Sequence, residues 1–282
     1  MTILKWLVVT VVIGVTGAGV AGAAIFIEDF ESGYTDGDNI AAYAPDWYGD
    51  GATNSPTIQA GQGLAGSVGL SEAKNCFNWS AHPFTWTDPS VTGVIIGMDF
   101  QTPDIMDAAF PFKDDRIGWT IDPASSSTSS IFSVQLSQNG TGGFDIEGYF
   151  KDGSKTRTDT IISYTTPVQA NAWYRFQVKY TKLTNTSARI DATVWELDAS
   201  GAQGNMIVTG TIADSSASSG DWTHRPPEAL FTAATMCPSF KNYNQGANAK
   251  ADNAYFEIIP EPTTIGLMLG GVFLMMRPRR RR

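Results

Sequence analysis

The 282-residue chain reads as all-β: an antiparallel two-sheet β-sandwich, flanked by an N-terminal signal peptide and a short hydrophobic C-terminal helix. Three observations predict this. Short runs rich in Val, Ile, Phe, Tyr, Trp and Thr recur from residue 25 to residue 259, separated by clusters of Gly, Ser, Asn and Asp. Several runs alternate apolar and polar residues with a period of two, the mark of a strand with one buried and one wet face. No stretch between the two ends keeps helical periodicity long enough to form a helix.

Residues 1–23 carry a single charge, Lys5, then an apolar stretch at 7–20, and they end in Ala21-Gly22-Ala23. That is a secretory signal with an A-x-A site for signal peptidase, which would leave Ala24 as the new N-terminus. Residues 25–31 open the body as a strand, and a loop rich in Gly, Asp and Asn follows to Gly51. Further strands are expected at 93–101, 116–121 and 131–137. Residues 144–150 put Phe144, Ile146, Gly148 and Phe150 on one parity and Asp145, Glu147 and Tyr149 on the other.

The longest runs are 173–181 and 188–197. In the first, Trp173, Arg175, Gln177, Lys179 and Thr181 share one face while Tyr174, Phe176, Val178 and Tyr180 share the other, and one of these faces must be core. A turn at 198–201, a strand at 206–212 and a closing strand at 252–259 bring the total to eleven or twelve. That number suits two sheets packed face to face, as in a jelly roll. The Ser-rich stretches 125–130 and 214–220 are edge loops. Nothing divides residues 24–259, which form one domain near the upper size range for a single core.

Residues 260–282 form a tail in three parts. Pro260-Glu261-Pro262 ends the body, because proline lacks an N–H and disfavours helix at the residue before it. The twelve residues 265–276 are wholly apolar, and arginines 277 and 279–282 close the chain. Twelve is short of the roughly 20 that span a bilayer. With Thr263, Thr264 and snorkelling arginines, residues 263–276 make a temporary tether to the inner membrane, the basic end staying cytoplasmic.

This order of parts resembles the PEP-CTERM sorting domain, found in exported proteins of bacteria that make extracellular polysaccharide and processed by the membrane enzyme exosortase. The resemblance implies Pro260, Glu261 and Pro262 as the sorting motif. It also implies exosortase and signal peptidase as processing partners, with the protein membrane-tethered before processing and then in the cell envelope or extracellular matrix. A second resemblance covers residues 25–259. Glu28-Asp29-Phe30-Glu31, Asn171-Ala172-Trp173-Tyr174-Arg175-Phe176, Glu196-Leu197-Asp198 and Asp252-Asn253-Ala254-Tyr255-Phe256 are similar to the concanavalin A-like, laminin G-like jelly roll. That resemblance implies first and last strands lying side by side.

Composition narrows the function. The chain has 19 basic and 28 acidic residues, a net charge of −9, and loss of Lys5 and five tail arginines makes the exported body more acidic. Such a body repels phosphate backbones, so nucleic acid is excluded as a partner. Glycoside hydrolysis with retention needs two carboxylates about 5 to 5.5 Å apart. Laminarinase-like members of the resembled fold supply them from Glu-x-Asp-x-x-Glu, but Glu196-Leu197-Asp198-Ala199-Ser200-Gly201 has glycine where the second glutamate would stand. Two scattered histidines, His82 and His224, do not make a zinc site. No nucleophile elbow or phosphate-cradling loop is present. No residue is assigned as catalytic, and the protein is expected not to be an enzyme.

Glycan binding suits the composition better, since sugar rings stack on aromatic faces. Trp47 and Trp222 lie in polar stretches and are the expected contacts, while a core of this size claims most other tryptophans. Glu28, Glu31, Asp252 and Asn253, with Asp29 beside them, are the oxygen ligands calcium prefers, and neighbouring terminal strands would gather them. A structural calcium ion is the one cofactor expected; the alternative is that these acids solvate strand ends. Cys76 and Cys237 are expected as a disulfide in an exported chain, with two buried thiols as the alternative. The sequence thus describes a surface or matrix protein that holds extracellular polysaccharide. A divergent polysaccharide hydrolase or lyase and a purely structural surface protein remain as alternatives.

Overall fold

The computed structural model describes residues 23–49, 56–71, 74–102, 116–123, 132–138, 141–152, 155–216, 231, 233–243 and 250–261. The expected signal peptide up to residue 22, Trp222, Pro262 and the apolar tail lie outside the described residues. Among those described, no helix is long and apolar enough to cross a membrane.

Among the described residues there are fifteen strands. In chain order they are β1 (Ala24–Glu28), β2 (Trp47–Gly49), β3 (Thr57–Gln59), β4 (Gly69–Ser71), β5 (Lys74–Trp79), β6 (Val91–Gln101), β7 (Arg116–Pro123) and β8 (Phe132–Gln138). There follow β9 (Phe144–Asp152), β10 (Lys155–Tyr164), β11 (Trp173–Thr184), β12 (Ser187–Leu197), β13 (Gln203–Ser216), β14 (Met236–Tyr243) and β15 (Lys250–Pro260). The larger sheet runs β13-β12-β11-β6-β15-β4-β3, with β1 also on β15; the smaller runs β10-β9-β8-β7-β14-β5-β2. The pairings are antiparallel throughout, as expected for a jelly roll. First and last strands do lie side by side, with Ala24 opposite Ile258 and Glu28 opposite Ala254.

The alternation written in the sequence builds the core. Tyr174, Phe176, Val178 and Tyr180 of β11 and Val94, Ile96, Met98 and Phe100 of β6 turn inward from the larger sheet. Phe77, Val134, Leu136, Ile146 and Phe240 of the smaller sheet belong to the same buried cluster. His82, in the turn after β5, packs against both sheets. It stacks on Phe26 of β1 at 3.8 Å and meets the edge of Trp79 of β5 at 4.4 Å.

Two expectations are corrected here. Trp47 is 1% exposed and so offers no face to a sugar. β2 pairs with β5 so that Trp47 lies opposite Trp79, the rings stacking at 5.0 Å and 6°. Its Nε1–H donates to the Tyr34 hydroxyl at 2.9 Å, which in turn donates to Glu28 at 2.9 Å, so the indole is buried with its polar atom satisfied. The expected disulfide does not form either. Cys76 of β5 is opposite Lys241 of β14, four residues along the strand from Cys237. That register sets the two Cα atoms about 14 Å apart, twice the separation a bridge tolerates.

Trp47→Ala should cost about 3–5 kcal/mol, as loss of a fully buried aromatic does. Urea denaturation of the purified chain checks this, and a loss below 1 kcal/mol would refute the core placement of Trp47.

Candidate functional site

Because one parity of the larger sheet is core, the other faces outward, and strand register aligns it in rows across the sheet. One row reads Trp195, Arg175, Asp99, Asp252 through β12, β11, β6 and β15. The next reads Thr193, Gln177, Gly97, Tyr255 and, on β1, Ile27. The third reads Asp191, Lys179, Ile95, Glu257 and Ile25. Trp173 opens β11 two residues before Arg175, diagonal to Trp195. Both tryptophans are half-buried, and Lys179, Ile25 and Ile27 are exposed.

The first row holds the strongest electrostatics on this face. Arg175 grips Asp99 with Nε on Oδ1 at 2.7 Å and Nη2 on Oδ2 at 2.9 Å. The Asp99 side chain is 0% exposed and that of Arg175 28%. Asn253 Nδ2 donates a further bond to Asp99 Oδ2 at 3.0 Å. To reach it, Asn253 takes a left-handed φ of 52° inside a bulge between Asp252 and Tyr255. Burial pushes the Asp99 carboxyl up, and the Arg175 hydrogen bonds and charge pull it back down.

Asp252 carries the turn between β3 and β4. Its Oδ2 accepts the Leu64 amide at 2.8 Å and the Ser67 hydroxyl at 2.9 Å, and its Oδ1 accepts the Asn253 amide at 2.7 Å. Glu31 accepts the Val68 amide at 2.8 Å, pinning the far side of the same turn. Ala65 and Gly66 turn the chain with φ of 56° and 84°. A side chain at Gly63 would collide with Ser67 and Asp252, so glycine is needed for this close approach. On the opposite margin, a Cβ at Gly201, in the turn between β12 and β13, would run into Leu64 Cδ2.

Each expected calcium ligand has protein partners. Glu28 accepts the Phe30 amide and the Tyr34 hydroxyl, Glu31 and Asp252 hold the β3–β4 turn, and Asn253 serves Asp99. Among the described residues no group of three or more His, Cys, Asp or Glu converges as a metal site. Trp222, the other expected glycan contact, lies outside the described residues. Of the residues expected as a sorting motif, Pro260 ends β15 opposite Val91 and the Glu261 amide donates to Ser90 O at 3.0 Å, with Glu261 exposed.

The carboxylates weighed for hydrolysis have structural tasks. Asp198 Oδ1 accepts the Ser200 amide at 2.8 Å, the Ser200 hydroxyl at 2.6 Å and the Ala202 amide at 2.9 Å, which holds its pKa below the usual range. Tyr255 donates its phenol proton to Glu257. Burial first, then that hydrogen bond and the nearby charge, push the phenol well above its ordinary value. Sequence reasoning ranked Trp173 and Trp195 behind Trp47 and Trp222 and did not single out Arg175 and Gln177. The signal that finds them is strand parity, once Tyr174 and Phe176 are given to the core.

No family model matches the chain, and no curated protein matches it. Solved structures do share its chain path. A PL-14 alginate lyase from Aplysia kurodai is 12% identical with a TM-score of 0.49, covering 78% of this chain and 93% of its own. The alginate lyase Aly36B is 12% identical with a TM-score of 0.45, covering 84% and 97%. Lectin I-B4 from Griffonia simplicifolia is 11% identical with a TM-score of 0.37, covering 83% and 98%. At such values the likeness is one of fold.

Asp252 gives a pH test. Burial raises its pKa from 3.8 to about 6, with the Leu64 and Ser67 hydrogen bonds opposing. A raised folded-state pKa means stability fully present below 3.8 and lost as pH rises through 6. His82, pushed down from 6.5 to about 4 by burial, works with opposite sign, its contribution being lost as pH falls. The readout is therefore the difference between wild type and Asp252→Asn across pH 4 to 7 in thermal melts. Wild type should lose about 1–2 kcal/mol relative to the variant over that window, after allowance for solvent screening. Parallel curves would refute it.

Proposed function

We propose that this is an exported, non-enzymatic surface protein that holds a glycan on the outer face of its larger sheet. The observation that carries the reading is the half-buried pair Trp173 and Trp195, set diagonally on adjacent strands. Gln177, Thr193 and Tyr255 stand in the row beside Trp195. Indole faces supply stacking area for sugar rings, and the neighbouring amide and hydroxyl groups suit sugar hydroxyls.

Absence of catalysis is supported by what the titratable groups do. Asp198 is tied into its turn, which leaves it a poor proton donor. Glycine at 201 removes the partner that hydrolysis requires. Tyr255 is the phenol on this face that an elimination would use as base, and burial together with the hydrogen bond to Glu257 favours its protonated form. The export and sorting reading rests on the terminal sequences. An exposed Glu261 next to the end of β15 leaves the sorting motif reachable by a processing enzyme.

The full chain, purified in neutral detergent, should be retained on immobilised matrix polysaccharide from a PEP-CTERM host. The double substitution Trp173→Ala, Trp195→Ala should weaken retention at least tenfold, in line with about 1–3 kcal/mol for lost aromatic contacts. Equal retention of the variant, with an unchanged melting temperature, would remove the outer face as the site. In an exosortase-containing host, Glu261→Ala should leave a longer, membrane-retained form. Unchanged mass and location would refute the sorting role.

A further inference from the structure

We infer that the outer-face groove takes the end of a neutral glycan chain, because the β3–β4 turn walls it off at one end. This rests on the glycan-binding reading above and narrows it.

The wall follows from distances. β15 and β12 are three strand spacings apart in the larger sheet, about 14 Å along a flat sheet. Yet Leu64, whose amide lies 2.8 Å from Asp252 on β15, touches Gly201 just beyond β12. One leucine thus connects both margins, and the β3–β4 and β12–β13 turns meet across the outer face at this end of the sheet. Leu64 is 8% exposed and stands apart from the main core cluster, as expected of a side chain clamped outside the sandwich. Beneath this bridge Asp99 is fully buried despite its outward parity.

The bridge stands over the row of Trp195, Arg175, Asp99 and Asp252. The adjoining rows of Gln177, Thr193 and Tyr255, then Lys179, Asp191 and Glu257, continue away from it along the same face. A sugar chain lying along these strands meets Leu64 at its leading residue and stops, with that residue beside Trp195 and the partly exposed Arg175, and with Trp173 one row further along β11 at the closed end. Four cations face outward among the described residues of these strands, Arg175, Lys179, Arg189 and Lys250, against four carboxylates, Asp99, Asp252, Asp191 and Glu257. Arg175 is paired with Asp99 and Arg189 with Asp191 at 2.9 Å. No surplus of positive charge is offered to a uronate, so the ligand is a neutral sugar chain.

The test uses β-1,3-glucan and β-1,4-glucan hexasaccharides, each coupled to beads through the reducing end or, separately, through the non-reducing end. The full chain should be retained at least tenfold better on one coupling of a given sugar than on the other. Leu64→Ala, which keeps the backbone bond to Asp252 and shortens the wall, should bring the two couplings within about twofold. Equal retention of wild type on both couplings would overturn the closed end while leaving glycan binding intact. Retention on neither coupling of either sugar, alongside retention on the host polysaccharide, would overturn the neutral chain end as ligand. Loss of retention on all of them would overturn the glycan reading itself.

Discussion

Each strand of the larger sheet must give one parity to the core, and that single requirement decides both the stability of the molecule and the character of its outer face. A one-residue slip of β11 would exchange Tyr174, Phe176, Val178 and Tyr180 for Trp173, Arg175, Gln177 and Lys179. It would bury a guanidinium and an ammonium group inside a sandwich that has no partners for them, at a cost far above that of losing a few apolar contacts. The register of β11 against β6 and β12 is therefore strongly fixed. The row of Trp195, Arg175, Asp99 and Asp252 inherits its alignment from packing on the opposite side of the sheet.

Asp99 shows how a site is held on such a scaffold. A carboxylate buried on an outward position is unfavourable alone, and it stays because three side-chain donor bonds reach it, two from Arg175 and one from Asn253. The left-handed Asn253 is the local strain this requires, placed in a bulge where the β15 ladder is already interrupted. The same bulge aims Asp252 at the Leu64 amide. One irregularity in the last strand thus fixes both the buried ion pair and the turn that closes the groove.

The fold was legible because alternation is a local signal. The long strands around 93–101, 144–150, 173–181 and 188–197 stand close to where their period of two puts them, and the pairing of terminal strands matches the resemblance. What was not legible was either short or long-range. β3 and β4 are three residues each, too short for alternation to show, and the glycine and serine of β4 read as loop. Trp47 seemed a surface residue because its sequence neighbours are polar, yet its environment is made by Phe30, Trp79 and Phe240, which no local pattern reveals. Glu28, Glu31 and Asp252 looked like metal ligands by residue type. Their oxygens instead satisfy amides and hydroxyls of nearby turns, a use that composition cannot distinguish from coordination. Cys76 and Cys237 failed for a related reason: they do reach neighbouring strands, but in a register four residues out of step.

The antiparallel pairing of β1 with β15 also bears on how such a body could be processed. Ala24 lies opposite Ile258, so the chain enters and leaves the sandwich at the same pole. In the proposed sorting route, a leader before Ala24 and a tether after Glu261 would both attach to that pole and could be held by one membrane without unfolding the domain. Asp252 and the Leu64 turn stand at the other end of β15, about 26 Å away at the rise of a strand. A groove closed at that distal end opens along the sheet toward the pole carrying the tether. A chain end bound there would therefore lie along the body, with its trailing sugars directed back toward the pole at which the chain enters and leaves the sandwich.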